Sequence, residues 1–214
     1  MLKSKGGFIL PEFFDVSLPI TEEMVVYPGN PKPSIRRYAS IPQDKVNESI
    51  LTLGSHTGTH VDSRLHLRNG TEGTASLPLE SFYGKCRVFD LAHVEAEIHR
   101  QDLEGFKIGK GDIVLLKTSN SMLGYMKFKE NFVHLKMDAA EYLVMAGVKT
   151  LGFDYLSVKK FGGDDEVHEL LIDNMTLFEG LNLTGVPEGK YTFLGLPLNI
   201  DTDGAPARVI LVRE

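Results

Sequence analysis

Asp138-Ala-Ala-Glu-Tyr-Leu-Val-Met-Ala-Gly-Val-Lys-Thr-Leu-Gly-Phe-Asp154 changes its hydrophobic period part-way along, and that change sets the fold class. In the first half Ala139, Tyr142, Leu143 and Ala146 recur at helical spacing, so a helix from Asp138 to Val148 is expected. Asp138 and Glu141 stand three apart as an N-terminal cap pair, and Gly147 suits the left-handed residue that ends a helix. From Lys149 to Asp154 the pattern becomes that of a buried strand.

Working outward, Arg87-Val-Phe-Asp-Leu-Ala92 and Asp112-Ile-Val-Leu-Leu-Lys-Thr118 are short apolar runs bounded by turn signals, which read as strands. Tyr191–Pro197 and Ala207–Val212 are two more, joined by a loop that contains Asp203-Gly204. A second, shorter helix is expected from Asp165 to Ile172, and Glu48–Gly54 as a strand. The opening segment, with Pro11, Pro19, Pro28, Pro31 and Pro33, should run as loops and edge strands, because proline removes backbone donors. Strands outnumber helices. The expected class is mixed α/β, with more β than a doubly wound fold.

The 214 residues suit a single domain over 1–214, and 42% apolar with 24% charged residues is ordinary usage for a packed soluble chain. A net charge of −6 argues against general nucleic-acid binding, since no basic surplus exists to neutralise phosphates. The lone Cys86 lies in an apolar run and reads as a buried, inert thiol. Met1-Leu-Lys-Ser-Lys-Gly-Gly7 carries charge with no apolar stretch behind it, and no run approaches the ~20 residues that span a bilayer. A soluble, cytoplasmic protein is expected, with no membrane or nucleic-acid partner.

Chemistry concentrates in His56-Thr-Gly-Thr-His60-Val-Asp62-Ser-Arg-Leu-His66, where three of the seven histidines fall. Imidazole and carboxylate are good ligands for Zn²⁺ or Mn²⁺, and no cysteine competes. The β-branched Thr57, Thr59 and Val61 favour an extended chain. In that form His56 and His60 would stand ~13 Å apart, too far to share an ion. The chain must therefore fold back, and Gly58 is the residue able to turn it. Asp62 could then bridge two metals, with His66 beside them as a proton carrier. The alternative is three unrelated histidines on a polar loop.

One segment cannot close such a site, so further ligands must come from elsewhere. His93, His99 and His134 lack suitable surroundings in the sequence. His168 lies on the short helix, and Glu179 sits among apolar neighbours in Met175-Thr-Leu-Phe-Glu-Gly-Leu181. A carboxylate there needs a partner, which a metal would supply; it could equally be a surface charge.

These residues resemble the putative cyclase family, whose best-known members are bacterial kynurenine formamidases. The family pattern His-x-Gly-Thr-His-x-Asp-x-Pro-x-His is matched from His56 to His66 except at one position. Similarity continues through Asp15-Val-Ser17, Tyr27-Pro-Gly29, Gly152-Phe-Asp-Tyr-Leu-Ser157, Glu179-Gly-Leu-Asn-Leu183, Gly185-Val-Pro-Glu-Gly189 and Asp203-Gly-Ala-Pro-Ala-Arg208. The resemblance implies a three-layer β/β/α swivelling-type fold and a homo-oligomer, a dimer or tetramer. It implies a site of one or two zinc or manganese ions held by His56, His60, Asp62, His168 and Glu179, with Asp62 bridging and His66 moving protons.

Two departures stand out. Arg64 replaces the family's proline, after Ser63 in place of alanine, and Tyr27 stands where kynurenine formamidases carry tryptophan. Tyr27 keeps an aromatic face for a substrate. Arg64 could grip a substrate carboxylate through a bidentate pair, or pair with a protein carboxylate at the surface. The expected activity is metal-dependent hydrolysis of a small-molecule aryl formamide, cyclic amide or related carbonyl compound, an arylformamidase-like amidohydrolase. A lactam hydrolase of the isatin-hydrolase kind, a metal-dependent cyclase or dehydratase, and a non-catalytic metal binder are the alternatives.

Overall fold

A computed structural model describes residues 10–213. The charged Met1–Gly7 segment lies outside the described residues. The first half of the chain forms β1 (Glu12–Asp15), β2 (Ser34–Ala39), β3 (Glu48–Thr52), β4 (His60–Asp62), β5 (Tyr83–Asp90), β6 (Glu97–Ile98) and α1 (Arg100–Leu103). The second half adds β7 (Ile113–Lys117), β8 (His134–Leu135), α2 (Met137–Ala146), β9 (Thr150–Phe153), α3 (Glu166–Asn174), β10 (Thr176–Glu179), β11 (Gly189–Pro197) and β12 (Gly204–Arg213).

Eight strands make one sheet in the order β1-β12-β11-β5-β7-β9-β10-β4, and β4 also pairs with β12, so the sheet closes on itself. Strand alternation then sorts the apolar side chains into two cores. Ile113 and Leu115 point into the closed sheet with Val61, Val88, Phe178 and Phe193. Val114 and Leu116 point outward and, with Leu151, Phe153 and Leu177, pack against Ala139, Ala140 and Leu143 of α2 and Leu171 of α3. Two β layers and a helical layer result, the mixed sheet with few helices expected from the sequence. At Gly152 a Cβ would sit 2.3 Å from Leu115 and 2.6 Å from Leu181, so glycine lets the inner core close over β9.

The helix opening the sequence argument runs over Met137–Ala146 and ends at Gly147, whose φ of 74° places it in the left-handed region. Its start differs from the expected cap pair. Lys136 holds the N-cap position without a side-chain bond, because the Asp138 carboxylate instead accepts the backbone N–H of Arg100. The predicted Glu48–Gly54 strand exists as β3, yet it pairs only with β2 in a ribbon beside the main sheet, exposed along both strands. Cys86 is buried in the inner core, and burial pushes its thiol up to about 12. No helix among the described residues is long and apolar enough to cross a membrane.

Candidate metal centre

Register positions the centre. In the antiparallel pair of β4 and β10, His60 stands opposite Glu179, Val61 opposite Phe178 and Asp62 opposite Leu177. Val61 and Phe178 fill the inner core, so His60, Asp62 and Glu179 emerge on the other face, toward the helices. From α3, the His168 ring places Nε2 2.8 Å from Asp62 Oδ2. His60, Asp62, His168 and Glu179 are all buried.

His56 reaches the same point because the chain doubles back at Gly58, whose φ is 67°. The His56 and His60 ring centroids come within 4.9 Å, far inside the extended separation. The bend is seated on a second glycine: Gly180, with φ of 69°, packs so closely that a Cβ would lie 2.5 Å from Gly58 O. Thr59 locks the seat, its hydroxyl donating to Gly180 O at 2.6 Å and accepting from Leu18 N at 2.8 Å.

Hydrogen bonds orient the rings. His60 Nδ1 is 2.9 Å from Gly58 O. A carbonyl can only accept, so Nδ1 carries a proton, and Nε2, 3.2 Å from Asp62 Oδ1 and 3.7 Å from Glu179 Oε2, is the ring nitrogen turned toward the carboxylates. Glu179 Oε1 accepts Val158 N at 2.7 Å. Burial works against ionised Asp62, but His60, His168 and His56 overcome it and hold this carboxyl well below the usual range. Burial and the charge of Asp62 push Glu179 up to about 7. Burial lowers His66 to about 4, whereas the neighbouring carboxylates of Asp62 and Asp203 lift His56, against its own burial, to about 9.

The donor set fits a metal ion. Asp62 Oδ1 is buried without a hydrogen-bond partner, although His56 Nδ1 lies 2.9 Å away. Nitrogen and oxygen ligand atoms converge in two groups, His60-Asp62-Glu179 and His56-Asp62-His66, with Asp62 common to both. Such donors suit Zn²⁺ or Mn²⁺. A cavity of about 370 Å³ opens onto them, lined by Tyr27, His56, His60, His66, His168 and Glu179 among others. Tyr27 is braced edge-on by Phe128 and Phe161.

Arg64 is the predicted residue that the structure does not bring to this cavity. Its guanidinium donates to Asp173 O at 2.6 Å, at the C-terminal end of α3, and half of the side chain is exposed. Carbonyls at a helix C-terminus attract a cation, and this contact takes the side chain away from the substrate role considered for it. His99 and His134 lie elsewhere, beside Glu97. Sequence reasoning missed Asp203, whose Oδ2 is 2.6 Å from His56 Nε2, and the Lys159–Asp165 ion pair at the cavity wall. No spacing rule marks any of them, since Asp203 lies in the loop before β12 and Lys159 and Asp165 in the connection between β9 and α3.

A family model for the putative cyclases matches residues 14–160. The chain belongs to the putative cyclase family. Within that family it is 33% identical over 202 residues to the kynurenine formamidase of Salinibacter ruber, covering 92% of this chain and 95% of that protein. A solved structure described as a potential metal-dependent hydrolase with cyclase activity superposes with a TM-score of 0.86 at 36% identity, covering 96% of this chain and 100% of the other. An isatin hydrolase bound to the product analogue thioisatinate shares the fold, with a TM-score of 0.83 at 20% identity over 95% of this chain and 92% of the other.

Proposed function

We propose that this putative cyclase family member is a metal-dependent hydrolase of non-peptide C–N bonds, acting on an aryl formamide or a related cyclic amide. The observation that carries the reading is Asp62 Oδ1, a buried oxygen without a hydrogen-bond partner that faces two imidazoles. A metal ion shared with those imidazoles would satisfy it. The kynurenine formamidase relative supports the formamide substrate.

His56, His60, Asp62, His168 and Glu179 would hold one or two ions of zinc or manganese. When bound, such an ion supplies a Lewis acid for the carbonyl and lowers the pKa of water toward ~7. His66, kept neutral by burial, takes the proton of the attacking water on Nε2, the nitrogen not paired with Asp203. It returns that proton to the leaving nitrogen as the C–N bond breaks, so water's oxygen ends on the acyl carbon and the amine leaves neutral. Tyr27 offers its ring to the aryl group.

Elemental analysis of the purified protein, followed by assays on N-formylkynurenine and isatin, tests this. Bound metal with turnover of either compound is expected; metal-replete protein inert toward both would sink the reading. A cyclase or dehydratase reaction on the same residues is favoured by one observation, the cyclase activity ascribed to the 36% identical structure. Incorporation of ¹⁸O from labelled water into product separates the two, since hydrolysis requires it.

We extend the reading to a homo-oligomer. Tyr38 and Leu51 stand exposed on the β2–β3 ribbon, and a lone two-stranded ribbon is marginal in water. A single-chain mass in light scattering would overturn this extension.

A further inference from the structure

Asp203 touches the centre without belonging to either group of converging ligand atoms. It sits immediately before β12, and its carbonyl accepts both the backbone N–H and the hydroxyl of Ser63 at 3.0 Å. Its carboxylate Oδ2 lies 2.6 Å from His56 Nε2 and accepts the Ser55 hydroxyl at 3.0 Å. The next residue, Gly204, has no side chain where a Cβ would come within 2.6 Å of His56 Cε1. Gly204 is in register with Asp62 on β4, so the carboxylate, the ring and Asp62 are tied to one strand pair.

We propose that Asp203 is a positioning residue for the metal centre, holding the proton of His56 on Nε2 so that Nδ1 is the ligand atom. A neutral imidazole has one N–H and one lone pair, and only one of its nitrogens can serve a metal. With Nε2 donating to Asp203, Nδ1 is the nitrogen left to serve a metal, on the side where Asp62 Oδ1 stands 2.9 Å away. A carboxylate behind a ligating imidazole fixes its orientation and raises its basicity, and losing such a partner typically weakens metal binding 10–100-fold. Ser55 supports the arrangement by holding the same oxygen from a different direction.

This inference rests on the metal centre under Proposed function, and the test separates the two. Zn²⁺ affinity is measured by chelator competition on the metal-free wild type and on Asp203→Ala, Asp203→Asn and Ser55→Ala. Circular dichroism confirms that each is folded. If the wild type binds no Zn²⁺, the metal-centre reading fails first. If it binds, Asp203→Ala is expected to bind about 10–100-fold more weakly, while Asp203→Asn, whose amide oxygen can still accept from Nε2–H, recovers most of the loss. Ser55→Ala should fall between wild type and Asp203→Ala. Replacing Zn²⁺ by Co²⁺ adds a spectroscopic readout, with the visible bands of Asp203→Ala shifted from those of wild type and of Asp203→Asn. Wild-type affinity in Asp203→Ala, or an Asp203→Asn as weak as the alanine variant, would overturn the proposal.

Discussion

Glu179 and His60 face each other across the β10–β4 pair, with Glu179 Oε2 3.7 Å from His60 Nε2. The same register puts Phe178 against Val61 on the other side, inside the barrel. Two short strands therefore wall the core with one set of residues and hold the candidate centre with the alternate set. The cost falls on Glu179, a carboxylate buried beside Asp62.

That cost can be measured. Burial raises the folded pKa of Glu179 from 4.5 to about 7, so in metal-free protein its contribution to stability is fully present below pH 4.5. It is lost as pH rises through 7. Glutamine does not titrate, and its amide oxygen can keep the bond from Val158 N. Metal-free Glu179→Gln should thus melt higher than metal-free wild type at pH 8 and gain little at pH 4.5. It should also lose metal affinity, because a ligand charge is gone. Thermal melts with chelator at both pH values check the first part and metal titration the second.

His66→Ala is expected to retain the metal content of the wild type and lose about 10²–10⁴-fold in kcat, the range for a proton-transfer group. His66 also falls within ligand reach of His56 and Asp62. Elemental analysis of the variant therefore decides between roles, since loss of metal in step with activity would make His66 a ligand.

The charge state of His66 gives a pH prediction. Burial lowers its pKa from 6.5 to about 4, so the ring is neutral and ready to accept a proton throughout the neutral range. A bound cation would lower it further. The acid limb that His66 imposes on kcat should lie well below pH 6.5. An NMR titration of the His66 ring protons locates the step, and a midpoint at or above 6.5 would contradict the burial argument.

Much of this was readable from residue order. The helix ending at Gly147 and the strands β5, β7, β9, β11 and β12 follow from period and turn residues. The need for a reversal at Gly58 followed from the reach of an extended chain. The N-terminus of α2 was misread because Asp138 had a better donor in Arg100, 38 residues away in the sequence. Strand β10 was hidden because only Met175 separates it from the end of α3, with no turn residue to mark the change of period. Whether Glu179 was buried depended on its register with His60, and Asp203 came to His56 only through the closure of β12 on β4. Long-range pairing of that kind leaves no local trace in the sequence.

Asp154, matched to the family but without a role from spacing, is a buried lock for the Ser119–Leu123 turn. It accepts from Thr118 N at 2.7 Å, Thr118 Oγ1 at 2.8 Å, Ser121 N at 3.2 Å and Ser121 Oγ at 2.7 Å. Asp154→Ala strands two buried backbone N–H groups and should cost about 3–5 kcal/mol. Asp154→Asn keeps an acceptor for both and should cost less, about 1–3 kcal/mol. Denaturant unfolding ranks them, and equal losses would mean that space rather than hydrogen bonding sets the penalty.

Gly180→Ala tests the link between fold and centre from the opposite direction. A Cβ there meets Gly58 O, a backbone atom, at 2.5 Å, and the φ of 69° strains any L side chain. Strain of this kind costs about 1–3 kcal/mol before the clash is relieved. Relief requires the Gly58 bend to move, and that bend carries His56 on one side and His60 on the other. His60 moves with it, because its Nδ1 donates to the Gly58 carbonyl being displaced. Gly180→Ala should therefore weaken Zn²⁺ binding as well as stability, whereas Asp154→Asn, whose side chain bonds Thr118 and Ser121 rather than any ligand, should lower stability and leave affinity unchanged while the protein stays folded. Chelator competition on both variants below their unfolding transitions makes the comparison. Equal affinities would show that the glycine seat shapes the loop without shaping the centre.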